Sequence, residues 1–338
     1  MRADKQDKRM SIETLPIEMI YIRYDYYKSS KIYLICFHQG KLRVNKLFVI
    51  GEMRVIDEAI SPDKRFYFMS AVSNGTFWGE LGNPLLVQLD ARETDARFSP
   101  NSRYLLGSYH FGGGLVLFDL YRGTKRLLVK PRDPTALTYQ LWFGWYPDSR
   151  SIWYAVPSPS VNPKYKEPFF RIDLTTWRRR RLSPQEKRQI LSGWDFLDPR
   201  FRYLPGRSRS EYRYAYSVDR QWRVKVGPYV FEDERHRLLP FEQQVKHQNV
   251  VLERRDGRSK VLLKAGAHAW WLEPHDITRD GRWVLLLGNR VSDRSRWDAI
   301  VIDTASNRHW IAFSPHEVPI PEGERSDWGI LCLWFGKQ

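Results

Sequence analysis

Asp95-Ala-Arg-Phe-Ser-Pro-Asn-Ser-Arg103 has three counterparts that align with it without gaps: Asp57-Glu-Ala-Ile-Ser-Pro-Asp-Lys-Arg65, Trp142-Phe-Gly-Trp-Tyr-Pro-Asp-Ser-Arg150 and Pro274-His-Asp-Ile-Thr-Arg-Asp-Gly-Arg282. An apolar residue stands five positions before each closing Arg (Ile60, Phe98, Trp145, Ile277), and Asp or Asn stands two before it (Asp63, Asn101, Asp148, Asp280). Such a segment is a tight turn, because Pro pre-sets φ and a short carboxylate or amide bonds its own downstream backbone. A β-prone run follows each turn: Phe66-Tyr-Phe-Met, Tyr104-Leu-Leu-Gly, Ile152-Trp-Tyr-Ala and Trp283-Val-Leu-Leu. A further run then ends in Asp, at Asp90, Asp119, Asp173 and Asp303. Three of these lead on through a polar turn into another strand. Four antiparallel strands in ~40–50 residues make one blade of a propeller.

The anchor arginines lie 38, 47 and 132 residues apart, and the last interval holds three periods of 44. Two units are therefore expected between Arg150 and Arg282, with candidate turns at Phe196–Arg200 and Val230–Arg235. A hairpin turning at Asp256-Gly257 follows them. The N-terminal part supplies three strands, Met19–Tyr24, Lys31–His38 and Leu42–Val49, and the C-terminus one, Trp328–Phe335. Three plus one complete a last blade and remove the open sheet edge. The expected fold is all-β: a single β-propeller over 1–338, with four-stranded antiparallel blades closed by the N- and C-terminal strands. Seven blades are expected, with six as the alternative if the degenerate stretch is one enlarged blade. Residues 1–15 read as a flexible extension, and 19–51 with 328–335 as the closing blade. With Trp328–Phe335 innermost, a strand separates Cys332 from Cys36, so both thiols should be free.

The segments Phe98-Ser-Pro-Asn-Ser-Arg103 with Phe118-Asp-Leu120, and Tyr146-Pro-Asp-Ser-Arg150 with Ile172-Asp-Leu-Thr175, resemble the TolB-like (WD-type) family of β-propeller repeats. Asp280-Gly-Arg282 carries the family's Gly, where the other three units place Lys64, Ser102 and Ser149. The resemblance covers ~54–183 and ~268–314, and it implies a protein-interaction module of the bacterial envelope. That points to the periplasm. The N-terminus leads into no apolar signal core, which points instead to a chain that is not exported.

Composition excludes several classes. Hydrophobic residues at 42% and aromatics at 14% exclude intrinsic disorder. Two cysteines allow neither a disulfide framework nor a four-thiolate zinc site. No apolar run reaches the ~20 residues of a membrane span, so the chain should not be integral to a membrane. There is no Gly-x-Ser-x-Gly elbow, His-Glu-x-x-His, phosphate loop or dinucleotide fingerprint. No catalytic residue, metal ligand or cofactor is assigned. His275 beside Asp276 is the best-placed histidine, and its blander role as an inter-blade brace is preferred to acid–base work.

The chain carries a formal charge of +16, and residues 177–260 contain 21 Lys+Arg against 11 Asp+Glu. Arg178, Arg179, Arg180 and Arg181 are candidate anion contacts, although basic side chains also shield an outermost strand from edge pairing. The loops 73–83, 157–168 and 290–297 are long for a blade and share one face. Trp78, His110, Trp142, Tyr165, Trp271, His275 and Arg296 are the candidate ligand or partner contacts there. The expected function is a non-catalytic scaffold whose partner is another protein or an acidic ligand. Two alternatives stand beside it: an enzyme acting on an acidic polysaccharide, and nucleic-acid binding through 177–260.

Overall fold

The computed structural model describes residues 14–25, 29–51, 55–71, 74–83, 85–92, 94–109, 113–130, 141–155, 168–192, 210–230, 239–314 and 328–336. The first blade uses β1 (Ile17–Asp25), β2 (Ser29–His38) and β3 (Lys41–Gly51). The second is β4 (Val55–Ile60), β5 (Phe66–Ala71), β6 (Gly75–Glu80) and β7 (Leu86–Asp90). The third is β8 (Thr94–Phe98), β9 (Tyr104–Tyr109), β10 (Leu115–Asp119) and β11 (Thr124–Val129). The fourth is β12 (Trp142–Trp145), β13 (Ser151–Ala155), β14 (Phe169–Asp173) and β15 (Arg179–Arg181), followed by α1 (Pro184–Ser192). The fifth is β16 (Ser210–Tyr216), β17 (Trp222–Val230), β18 (Asn249–Arg254) and β19 (Ser259–Leu263), with α2 (Phe241–Gln244) between its second and third strands. The sixth is β20 (Trp270–Ile277), β21 (Trp283–Arg290), β22 (Asp293–Asp303) and β23 (Arg308–Phe313), and β24 (Trp328–Phe335) ends the described chain.

These strands form six four-stranded antiparallel sheets, each in chain order except the first, which runs β24-β1-β2-β3. The chain is a β-propeller closed by its two ends, as the N- and C-terminal strand patterns predict. Cys332 lies opposite Ile20 and Cys36 opposite Glu18, so β1 stands between the two cysteines. The Cys36 thiol is free, and burial pushes its pKa up to about 11.

Between the fourth blade's last strand and the sixth blade's first, the described residues hold one further sheet, β16–β19. Its turn is Ser217-Val-Asp-Arg-Gln221 rather than the expected segment at Val230, which ends β17. Gln221 replaces the anchor Arg, so the unit lacks the residue that marks the other turns. The Phe196–Arg200 candidate lies outside the described residues.

Local chemistry explains these turns, and in four of the five it begins with a Ser or Thr hydroxyl; the fourth blade has Tyr146 there, and Asp148 accepts the Arg150 N–H at 2.9 Å. Ser61, Ser99, Ser217 and Thr278 hydroxyls donate to Asp63, Asn101, Asp219 and Asp280 at 2.6–2.7 Å. Those acceptors in turn take the backbone N–H of Arg65, Arg103, Gln221 and Arg282. The next position must be left-handed: φ is 58° at Lys64, 60° at Ser102, 55° at Ser149, 54° at Arg220 and 72° at Gly281. Only Gly adopts this without strain. At Gly281 packing adds a second requirement, because a Cβ would lie 2.5 Å from the Trp222 ring of the neighbouring blade.

The serines at the left-handed position also join blades. Ser102 Oγ accepts the Asp63 N–H at 2.9 Å, and Ser149 Oγ accepts the Asn101 N–H at 3.0 Å. Both serines are buried, so truncation strands a backbone donor. Ser102→Ala and Ser149→Ala should each lower unfolding stability by about 1 kcal/mol. A urea midpoint unchanged in both would show that these bonds do not couple the blades.

Core side chains sit between sheets. Phe66 and Phe68 pack with Phe98, Leu105 and Val116 between the second and third blades. Leu106, Leu115 and Leu117 meet Phe143, Trp145 and Tyr154 between the third and fourth. Middle strands are therefore covered on both faces, which is why β5 and β13 are buried at every residue rather than alternating. On the fourth blade Ile190 of α1 joins Trp153, Phe169 and Leu182. That helix begins with a reciprocal cap: Glu186 accepts the Ser183 N–H at 3.0 Å, and Ser183 Oγ accepts the Glu186 N–H at 3.2 Å.

Candidate functional site

The innermost strands carry an ionic cluster between the fifth and sixth blades. Arg213 on β16 is buried and pairs with Glu273 on β20. Its guanidinium carbon lies 4.4 Å from the Tyr229 ring centroid and 5.2 Å from that of Trp271. Trp271 is itself buried, edge-on to Tyr229 and Trp297. Two residues further along β20 from Glu273, the register shifts between Pro274 and Asp276, and His275 sits in the bulge. Burial first, and then the Arg213 charge, push the half-buried His275 ring down to about 4, so it is neutral near pH 7.

Asp276 ties three blades together. One oxygen accepts Lys64 Nζ of the second blade at 2.8 Å and the Phe335 N–H of the first at 2.9 Å. The other accepts the Ile277 N–H at 2.9 Å. Both carboxylates flanking His275 are thus committed, Glu273 to Arg213 and Asp276 to Lys64. A catalytic base would want one of them to orient its ring. The bonds that join the blades here are made by Asp276.

Trp271 and His275 share strand β20, and Arg213 lies near both; the other described candidates lie on other strands. Trp78 is not on a loop, because Gly75–Glu80 is strand β6, paired with β5 and β7. It packs edge-on against Phe66 at 5.3 Å. Leu86–Asp90 is accordingly the fourth strand of its blade, not the third. Trp142 lies on β12 against the Trp153 and Phe169 core. The 290–297 segment is a hairpin rather than a long loop: Arg290 pairs with Asp293, and Arg296 lies within β22. His110, Tyr165 and the 157–167 part of the 157–168 loop lie outside the described residues. Among the described residues there is no group of three or more His, Cys, Asp or Glu that could hold a metal ion.

Strand order reveals a surface that the sequence did not show. The six outermost strands are β3, β7, β11, β15, β19 and β23. They carry Lys41, Arg43 and Lys46; Lys125 and Arg126; Arg179, Arg180 and Arg181; Lys260; and Arg308. Those ten cations face one acid, Asp90, which is buried, accepts Lys125 Nζ at 2.9 Å and takes the Tyr109 hydroxyl at 3.0 Å. Burial opposes its charge, yet Lys125, the Arg92 N–H and Tyr109 hold the carboxyl below the usual range. All ten cations are exposed. Within the four-arginine run, Arg180 pairs with Glu186 and Arg179 lies 4.0 Å over the Phe170 ring. Arg178 and Arg181 are exposed beside them.

No family model matches the sequence, and no curated protein is significantly similar to it. Solved structures that resemble the chain include a putative TolB from Agrobacterium tumefaciens, at 14% identity over 80% of this chain and 84% of that one, with a TM-score of 0.42. An oligogalacturonate lyase in complex with manganese is 10% identical over 87% and 78%, with a TM-score of 0.40. The periplasmic gluconolactonase PpgL of Pseudomonas aeruginosa is 14% identical over 88% and 82%, with a TM-score of 0.43. The likeness to TolB is one of structure, unaccompanied by a family match. Similarity at this level assigns no activity to the chain.

Proposed function

We propose that this propeller is a non-catalytic binding scaffold that takes an anionic macromolecule on its basic rim. One observation carries the reading: ten exposed Lys and Arg side chains against one buried acid along the six outermost strands. Shielding a sheet edge needs only an occasional charge. A belt of one sign does more, since it attracts a polyanion and gains affinity from counterion release.

Heparin, a polysulfated glycan, is a suitable generic probe. Its affinity should fall linearly with log salt. Reversal of Arg178, Arg179, Arg180 and Arg181 to Glu should weaken it at least tenfold and flatten the salt slope. Binding that survives the reversal but is lost on Tyr165→Ala with Arg296→Ala would move the working surface to the loop face.

A further inference from the structure

We infer that the rim of the third and fourth blades binds single-stranded nucleic acid, with Trp177 as a platform for a base and Arg122, Arg126, Arg178 and Arg181 as phosphate contacts. This rests on the rim reading and goes beyond it in naming the polyanion.

The first support is Trp177 itself. It closes the turn between β14 and β15, and it is a bulky residue at φ 59°. The matching positions before β11 and β23 are Gly123 at φ 62° and Asn307 at φ 56°, residue types that tolerate a left-handed backbone. The turn is otherwise well made. Asp173 accepts the N–H groups of Thr175 and Thr176 at 2.8 and 2.9 Å, and its carbonyl takes the Trp177 N–H at 2.8 Å. A large aromatic is held here against local preference, and it keeps 39% of its surface exposed. Strained backbone with an exposed side chain is a mark of functional constraint.

The second support is the company it keeps. Arg126, from the outermost strand of the preceding blade, lies 3.6 Å over the indole centroid. Tyr121, 55% exposed in the turn between β10 and β11 of the third blade, has Arg65 over its ring at 5.3 Å. Both rim aromatics thus carry a cation over one face. Planar aromatic faces set among phosphate-binding cations suit unstacked bases. A duplex hides its bases, and an acidic polysaccharide has none. Neither would use these rings as a base does.

The test compares a 20-residue oligothymidylate with heparin on the full chain, by fluorescence anisotropy at low and physiological salt. The wild type should bind both, with Trp fluorescence quenched by the oligonucleotide. Trp177→Gly fits the backbone and should leave the urea midpoint unchanged or raised. It should weaken oligothymidylate binding about tenfold and heparin binding less than twofold. Equal losses for both probes, or no loss for the oligonucleotide, would overturn the nucleic-acid assignment. The rim reading would then stand if Glu substitution of Arg178 and Arg181 still weakened heparin binding. Failure of the wild type to bind either probe at low salt would overturn both.

Discussion

Replacing Asp276 by Ala should destabilise the propeller by about 3 kcal/mol, a loss typical of breaking a largely buried pair by removing one partner. The carboxylate is 6% exposed and its Lys64 partner 18% exposed. It also accepts the buried Phe335 N–H, so truncation leaves both an ammonium and a backbone donor without their acceptor. Phe335 ends the strand that closes the ring, and the consequence should be local as well as global. Amide exchange in β24 and β1 should rise ahead of exchange in β9 and β10. Asp276→Asn keeps an acceptor for Phe335 but loses the charge, and should cost roughly half as much. A urea midpoint within experimental scatter of the wild type would show that the closure does not depend on this residue.

Stability should also fall as the pH drops from about 6.5 to about 4, through His275. A histidine held at about 4 in the folded state against 6.5 in the unfolded chain binds fewer protons when folded across that window. Unfolding therefore takes up a proton there. The neutral ring's full contribution is present above 6.5, is lost progressively on acidification, and levels off below 4. The span corresponds to about 3 kcal/mol at 1.36 kcal/mol per unit. Carboxylates such as Asp90 and Asp298, also held below their usual range, steepen the acid limb in every variant. The informative quantity is the difference between wild type and His275→Asn, whose profile should be flatter by about that amount. Parallel profiles would mean that the ring is solvated, and an open axial site would then need to be considered.

The turns were legible in the sequence because their chemistry is short-range. A hydroxyl, an Asp two residues on and a left-handed position sit within five residues, so Ser-Pro-Asp-x-Arg announces itself. The same locality explains the misses. The fifth blade's turn lacks the Pro that marks three of the other units and the anchor Arg that marks all four. Gly75–Glu80 looked like a loop because glycines stand near both of its ends, yet a Cβ at Gly79 would lie 2.3 Å from the Tyr67 hydroxyl. That glycine serves close packing rather than flexibility. Arg213 and Glu273 are 60 positions apart and meet only because β16 and β20 are neighbouring inner strands.

The basic rim was the least visible feature. The window 177–260 mixes the outermost strands β15 and β19 with the inner strands β16–β18. Much of its excess accordingly includes side chains such as Arg213 and Arg223, which pair inside the fold. Only strand order separates those from the cations that face outward.

Lysine acetylation with mass-spectrometric readout, with and without saturating heparin, tests the rim most directly. Lys41, Lys46, Lys125 and Lys260 all lie on outermost strands, whereas Lys164 and Lys166 fall in the 157–168 segment that the sequence assigns to the loop face. If the rim is the working surface, the polyanion should protect lysines of the first group, Lys125 above all, and leave Lys164 and Lys166 as reactive as before. Protection confined to Lys164 and Lys166 would contradict it.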